Sequence, residues 1–102
     1  MIKRRQYAAL PFRRTADGRI EIALLTSRDT GRWVIPKGWP IAGQSPSDSA
    51  AQEASEEGGF VGEVWSESMG AFEYQKRTAD GIVPCLVDLF LLNVSGLLDE
   101  FP

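Results

Sequence analysis

The sequence predicts an α+β fold in which a mainly β framework carries one helix. Three observations predict it. Short, mixed apolar segments alternate with Asp-Gly and Pro-containing turns, a single stretch has helix start and stop signals, and no segment repeats. With 102 residues, 43% of them hydrophobic, the chain has the size and balance of one globular domain, residues 1–102, and disorder is excluded.

The first part of the chain is predicted to form a hairpin followed by a loop. Residues 6–13 and 20–27 form two candidate strands, because a Thr-Ala-Asp-Gly turn lies between them. Trp33 belongs to a short apolar segment ended by a proline, which predicts a core position for its ring. Residues 37–44 hold two glycines and a proline and are predicted to be a loop.

The helix is predicted to begin after Ser45 and to stop at the two glycines 58–59. Ser45 is a suitable N-cap, Pro46 suits the first helical position, and Asp48 places a carboxylate at the positive end of the helix dipole. Beyond the helix, three more strands are predicted at residues 60–65, 69–76 and 83–93.

The residue inventory excludes several kinds of chemistry. The chain has no histidine, and Cys85 is its only cysteine, which excludes an intramolecular disulfide, a Cys/His zinc site and a histidine base. Cys85 lies in an apolar stretch and is predicted to be a small buried hydrophobe. No apolar run approaches the roughly 20 residues that span a bilayer and no signal-peptide core is present, so we expect a cytoplasmic protein without a membrane partner.

Charge is distributed unevenly along the chain. Residues 1–37 hold nine of the eleven Lys and Arg against three acids, a balance of +6, and residues 38–102 hold two against eleven, a balance of −9. If the fold brings these halves together, a cationic surface beside an anionic one suits a polyanionic ligand next to divalent metal ions. The alternative is that the charges only solvate two faces. No DNA partner is expected, because the net charge is −3 and no nucleic-acid reader motif is present.

Three glutamates on the predicted helix break its local rules. Glu53, Glu56 and Glu57 are spaced i, i+3 and i+4, so their like charges lie on one side of the helix, at the negative end of its dipole. No Lys or Arg on the helix offsets them. Mg²⁺ or Mn²⁺ would compensate three carboxylates, since these ions prefer oxygen ligands. A solvated acidic face is the alternative.

The glutamates lie within a longer pattern that resembles the Nudix box. That motif is a glycine, a glutamate after five residues and, after seven more, Arg-Glu-apolar-x-Glu-Glu-x-Gly-apolar. Seven of its nine positions match with the same spacing: Gly38, Glu53, Ala54, Glu56, Glu57, Gly59 and Phe60. Gln44 and Gln52 replace the first glutamate and the arginine, so activity could be weakened or metal affinity altered. Outside the box, Arg28, Arg32-Trp33, Pro36-Lys37 and residues 74–102 resemble the diphosphoinositol polyphosphate phosphohydrolase branch and its small bacterial relatives.

This resemblance implies a fold: a Nudix-type α/β/α sandwich around a mixed β-sheet. The resembled domains usually continue through another strand and a C-terminal helix beyond the point where the 102 residues end, so we expect either a C-terminally short domain or a fragment of a longer one. A sheet face left uncovered would favour a homodimer that covers it.

The resemblance also implies the site. Glu53, Glu56 and Glu57 would be catalytic and, with the Gly38 carbonyl, would hold one to three Mg²⁺ or Mn²⁺ ions; Glu56 or Glu57 would be the base. The candidate substrate-binding residues are the cations that would grip phosphates and a tryptophan that could stack on a base: Arg4, Arg28, Arg32, Lys37 and Trp39.

Three functions stay open at this stage. The first is a Nudix hydrolase that cleaves a diphosphate linkage in a diphosphoinositol polyphosphate, a dinucleoside polyphosphate or a related small molecule through metal-activated water. The second is a pyrophosphohydrolase of nucleotides or RNA ends, which the same motif would serve. The third is a catalytically weak or inactive module that senses a phosphorylated ligand, motivated by Gln44 and Gln52.

Overall fold

The computed structural model describes residues 3–27 and 31–99 and confirms the α+β prediction. Eight strands and one helix occur in the order β1 (Arg4–Arg14), β2 (Ile20–Ile22), β3 (Leu25–Thr26), β4 (Trp33–Val34), β5 (Lys37–Gly38), α1 (Pro46–Gly58), β6 (Phe60–Val64), β7 (Gly70–Thr78) and β8 (Gly81–Leu97) in these described ranges.

The sheet is organised around the long strand β8. One edge of β8 pairs with β1 in parallel, and its other edge pairs antiparallel with β7 along the first half and with β6 along the second half. The free edge of β1 pairs antiparallel with β2 near one end and with β5 near the other. The result is a mixed six-stranded sheet, as predicted, and a separate two-stranded sheet of β3 and β4.

The helix packs on one face of this sheet through small residues. Ala50 and Ala54 are fully buried against Ala9 on β1 and against Phe90 and Leu92 on β8. Side chains of this size let the helix backbone approach the strands closely, and the aromatic and leucine side chains fill the remaining space. This packing fixes α1 relative to β1 and therefore fixes the flank of the helix that carries the glutamates.

Two predicted segments differ from the structure. The returning strand expected over residues 20–27 splits after Ile22. The Ala23 N–H donates to the Pro11 carbonyl (3.0 Å), but Pro11 has no N–H that could donate a second hydrogen bond to β2, so the pairing ends there. The loop expected over residues 37–44 begins with β5, since the edge of β1 is open there and pairs with Lys37 and Gly38.

The predicted core position of Trp33 is wrong. Its side chain is 71% exposed, because β4 is a two-residue strand that pairs only with β3 and stands apart from the main sheet. The predicted burial of Cys85 is confirmed. Within residues 3–27 and 31–99, no helix is long and apolar enough to cross a membrane.

Candidate active site

Helix α1 begins and ends where its capping residues require. The Ser45 hydroxyl accepts a hydrogen bond from the Asp48 N–H (3.2 Å), and Pro46 opens the first turn. Gly59 adopts the left-handed conformation (φ 71°), and its N–H donates to the carbonyls of Ala54 and Ser55. These caps confirm the predicted helix and place Glu53, Glu56 and Glu57 in its last turns.

Strand β5 brings two of these glutamates together. The Lys37 N–H donates to Glu57 Oε2 (3.1 Å), and a methyl group on Gly38 would overlap the Glu53 carboxylate. The negative charge of Glu53 also acts on Glu57. We call Glu53 and Glu57 the carboxylate pair; it lies where the helix meets the first residues after Pro36.

The electrostatics of the carboxylate pair favour a bound proton or a cation. Burial, followed by repulsion from Glu53, raises the pKa of Glu57 to about 7, although the Lys37 N–H acts in the opposite direction. Burial and repulsion from Glu56 raise the pKa of Glu53. The charged forms of both carboxylates are therefore disfavoured, and a proton or a cation bound there would relieve the repulsion.

Glu56 has a hydrogen-bond partner of its own on the helix. Its Oε1 accepts a hydrogen bond from Gln52 Nε2 (2.9 Å), and Gln52 Oε1 accepts one from Gln44 Nε2 (2.7 Å). The two residues that depart from the Nudix box thus form a chain that holds the third glutamate. In the described part of the chain, no three His, Cys, Asp or Glu side chains are arranged so that they could hold a metal ion.

The donors at this junction fit a hard divalent cation. The carboxylate pair offers oxygen atoms of the kind that Mg²⁺ and Mn²⁺ bind, and its raised pKa values mark an uncompensated negative charge. Gly38 has no side chain to fill the space beside Glu53. Glu56 accepts from Gln52 through Oε1 only, which leaves Oε2 available, and its place in the metal set predicted from the sequence stays a prediction.

A cluster of cations surrounds Trp39 and Tyr74, next to the carboxylate pair. Lys37 Nζ is 5.2 Å from the Tyr74 ring centroid, and both Arg4 Cζ (5.0 Å) and Lys76 Nζ (5.9 Å) lie over the Trp39 ring. We call Arg4, Lys37 and Lys76 the cation cluster. Burial lowers the pKa of Lys37, with the Glu57 charge opposing and the Lys76 charge adding to this shift, so the three groups and the carboxylate pair belong to one electrostatic site.

The cluster rests on a buried hydrogen bond that the sequence did not indicate. The Tyr74 hydroxyl donates to Oε1 of Gln6, whose side chain is 2% exposed. Burial raises the pKa of Tyr74 to about 12, so the phenol remains the donor. Tyr74 and Lys76 lie two residues apart on β7 and therefore on one face of the strand. The sequence contains this two-residue spacing, but the spacing does not show which strand lies beside β7.

The remaining candidate cations belong to the segment between β3 and β4. Arg28 lies outside the described residues. Arg32 directly precedes β4, and its carbonyl accepts a hydrogen bond from the Ser27 N–H (2.8 Å). A methyl group on Gly58 would meet the Leu25 side chain, so this hairpin lies against the end of the helix that carries the carboxylate pair.

Comparison with known proteins identifies the fold. C. elegans Ap4A hydrolase is similar with a TM-score of 0.63 and 19% identity, and the match covers 95% of this chain and 74% of that one. The Nudix domain of Shewanella oneidensis NrtR complexed with ADP ribose has a TM-score of 0.67 and 14% identity, with 99% of this chain and 66% of that one covered. A MutT/Nudix family protein from Enterococcus faecalis has a TM-score of 0.70 and 16% identity, with 99% of this chain and 40% of that one covered. The chain thus spans between two fifths and three quarters of the length of these proteins.

At these identities the likeness establishes the fold, and the chain has the fold of the Nudix hydrolases, as its motif predicts. No protein-family model and no curated protein matches the sequence.

Proposed function

We propose that this chain hydrolyses a phosphoanhydride linkage in a polyphosphorylated small molecule, of the diphosphoinositol polyphosphate or dinucleoside polyphosphate type, with Mg²⁺ or Mn²⁺. One observation carries the proposal: in a Nudix fold, the carboxylate pair of Glu53 and Glu57, with its raised pKa values, lies beside Lys37 of the cation cluster. Such a pairing of anions with cations suits a metal-bound polyanion.

The residues of the chain have separate tasks in this reaction. A divalent cation, when bound by Glu53, Glu57 and the Gly38 carbonyl, neutralises phosphate oxygens and makes a bound water more acidic. Glu57 accepts a proton from the attacking water, because the Lys37 N–H fixes the position of its Oε2. The water oxygen forms the new bond to phosphorus as the bridging P–O bond breaks.

Binding of the phosphates falls to the cations. Arg4 lies over the Trp39 ring and Lys37 over the Tyr74 ring. Arg28 and Arg32 remain candidates from the sequence resemblance. Arginine and lysine differ here, since a guanidinium can contact two phosphate oxygens at once and an ammonium acts as a compact charge. We assign Glu57 rather than Glu56 as the base, because Gln52 holds Glu56.

Turnover of a substrate panel tests this proposal. Diphosphoinositol pentakisphosphate, diadenosine polyphosphates, ADP-ribose and nucleoside triphosphates would be incubated with Mg²⁺ or Mn²⁺, and phosphate-containing products quantified. We expect metal-dependent cleavage of at least one polyphosphate and a loss of about 10³-fold in kcat for Glu57→Gln, in the range for a general base. Glu63→Gln, the same change at an exposed glutamate on β6, is the matched control and should stay within twofold.

The same panel addresses nucleotide substrates. One similar structure is an Ap4A hydrolase and another is a Nudix domain complexed with ADP ribose, which makes nucleotide pyrophosphate linkages the second enzymatic candidate. Preferred cleavage of ADP-ribose or nucleoside triphosphates would favour it.

A non-catalytic sensor is the candidate from a different class. The hydrogen-bond chain from Gln44 through Gln52 to Glu56 favours it, since two neutral amides stand where the Nudix box has a glutamate and an arginine. Calorimetric binding of a panel compound without any turnover would support the sensor and contradict the hydrolase.

A further inference from the structure

Trp39 is shared by two cations that come from distant strands. Arg4 Cζ on β1 lies 5.0 Å and Lys76 Nζ on β7 lies 5.9 Å from the centroid of its ring. The sheet brings them together because β1 and β7 flank β8, where Arg4 and Tyr74 both pair with Cys85. The Trp39 side chain is 38% exposed, so this arrangement faces solvent.

These cations lack the carboxylate partners that their neighbours have. The two neighbours of Arg4 in the sequence are both paired: Lys3 with Glu73 (3.0 Å) and Arg5 with Asp88. Within residues 3–27 and 31–99, neither Arg4 nor Lys76 has a carboxylate oxygen within 4.0 Å. Two cations held over one ring repel each other, and the electron-rich ring offsets only part of this cost, whereas a bound anion would offset much more.

The position of the cations also changes the role of Trp39. A nucleobase that stacked on this ring would compete with Arg4 and Lys76 for it, so the ring serves these cations better than it serves a base. Lys37 joins this group to the carboxylate pair, because its N–H contacts Glu57 and its ammonium lies over Tyr74, two residues from Lys76.

We propose that Arg4, Trp39 and Lys76 form a second anion subsite that binds a phosphate group of the substrate away from the cleaved linkage. This inference rests on the proposed function and deepens it. It means that the protein selects its substrate by the number of neighbouring phosphate groups and not by a nucleobase. The ligand is a group that carries several neighbouring phosphates, either a linear phosphate chain or a phosphorylated ring.

Calorimetry without divalent metal tests the subsite separately from catalysis. The titrants are inorganic tripolyphosphate, inositol hexakisphosphate and adenosine, in a buffer with chelator. We expect both anions to bind and adenosine not to bind. A preference for tripolyphosphate would identify a chain as the natural group, and a preference for inositol hexakisphosphate would identify a ring.

Variants assign this binding to the three residues. Lys76→Met should weaken anion binding about tenfold or more, as expected for the loss of a charged contact. Trp39→Leu should weaken it by about fivefold, whereas Trp39→Phe, which keeps an aromatic face, should stay within about twofold. Arg14→Met is the matched control, since this exposed cation lies at the far end of β1, roughly 33 Å from Arg4 at about 3.3 Å per residue, and should match the wild type.

The results separate this inference from the proposed function. If Lys76→Met binds the anions as Arg14→Met does, or if adenosine binds and Trp39→Leu abolishes that binding, the subsite is wrong even where the enzyme turns over. If anion binding depends on Lys76 and Trp39 as expected but no panel compound is hydrolysed, the subsite stands and the hydrolase proposal fails. Thermal unfolding of each variant excludes loss of fold as the cause.

Discussion

The carboxylate pair and the cation cluster meet at Lys37 on β5, and they are held in different ways. Glu53 and Glu57 project from consecutive turns of one capped helix, and a backbone N–H fixes Glu57. The cations come from β1, β5 and β7 and lie over the rings of Trp39 and Tyr74. The anionic half of the site is therefore fixed by backbone, and the cationic half is held by side-chain contacts.

This difference indicates a division of labour. Phosphoryl transfer requires accurate placement of charge at the reacting phosphorus, which rigid elements supply. Long cationic side chains over aromatic rings can adapt to phosphates in more than one arrangement. We therefore expect small changes near the helix to alter turnover strongly, and changes in the cation cluster to alter affinity and stability more than chemistry.

Among the changes that keep every charged group in place, the largest expected effect comes from Gly38→Ala. The added methyl group would overlap the Glu53 carboxylate, which is the flexible end of a side chain and can move away, so the free energy of unfolding should change little. Displacing this carboxylate by about 1 Å should lower kcat/KM by about 100-fold. Gly96→Ala, where the new methyl meets Val61 only at 3.4 Å, is the control. Equal kinetics for the two variants would show that the approach of Gly38 to Glu53 is unimportant.

Tyr74→Phe tests how the cation cluster is supported. It removes the hydroxyl that donates to Gln6 and leaves a buried amide oxygen without this partner, while the aromatic ring under Lys37 remains. We expect a loss of about 1–3 kcal/mol in the free energy of unfolding, measured in urea, with kcat nearly unchanged. Unchanged stability would mean that the Tyr74–Gln6 hydrogen bond does not support the cation cluster.

The stability of the metal-free protein should depend on pH through Glu57. Its pKa rises from an ordinary value of 4.5 to about 7 on folding, so the folded state binds more protons between these values and the contribution of Glu57 to stability is lost as pH rises through 7. The unfolding midpoint of the wild type should therefore fall relative to that of Glu57→Gln between pH 5 and pH 8. Parallel pH profiles would contradict the raised pKa.

The smallest expected effect comes from Gln52→Arg, which restores the arginine of the Nudix box. Gln52 already donates to Glu56, so we expect turnover to change by less than about fivefold, although an arginine could bind this carboxylate through two contacts. Gln44 loses its partner in this variant, and Gln44→Ala isolates that effect. A large gain in turnover for Gln52→Arg would instead indicate that the wild-type site is degenerate, as the sensor hypothesis holds.

Local sequence signals predicted the anionic half of the site well. Ser45, Pro46 and Gly59 carry capping chemistry that acts within a few residues, and the i, i+4 spacing of Glu53 and Glu57 follows from helical geometry alone. Trp33 shows the limit of such signals, because an apolar run predicts burial only when a neighbouring layer covers it, and β4 has no such layer. The break after Ile22 likewise depended on which residue of β1, Pro11, stood opposite.

The sequence by itself determined the α+β class, the capped helix, its glutamates and the motif that fits a Nudix fold, because each follows from contacts within a few residues or from spacing along one element. Only the tertiary structure decided that Lys76 and Tyr74 join Arg4 and Gln6, since these residues are separated by about seventy positions and meet only through the register of β1 and β7 on β8. It also decided that Glu56 binds Gln52 while Glu57 meets Lys37, because the placement of β5 against the helix selects which carboxylates converge.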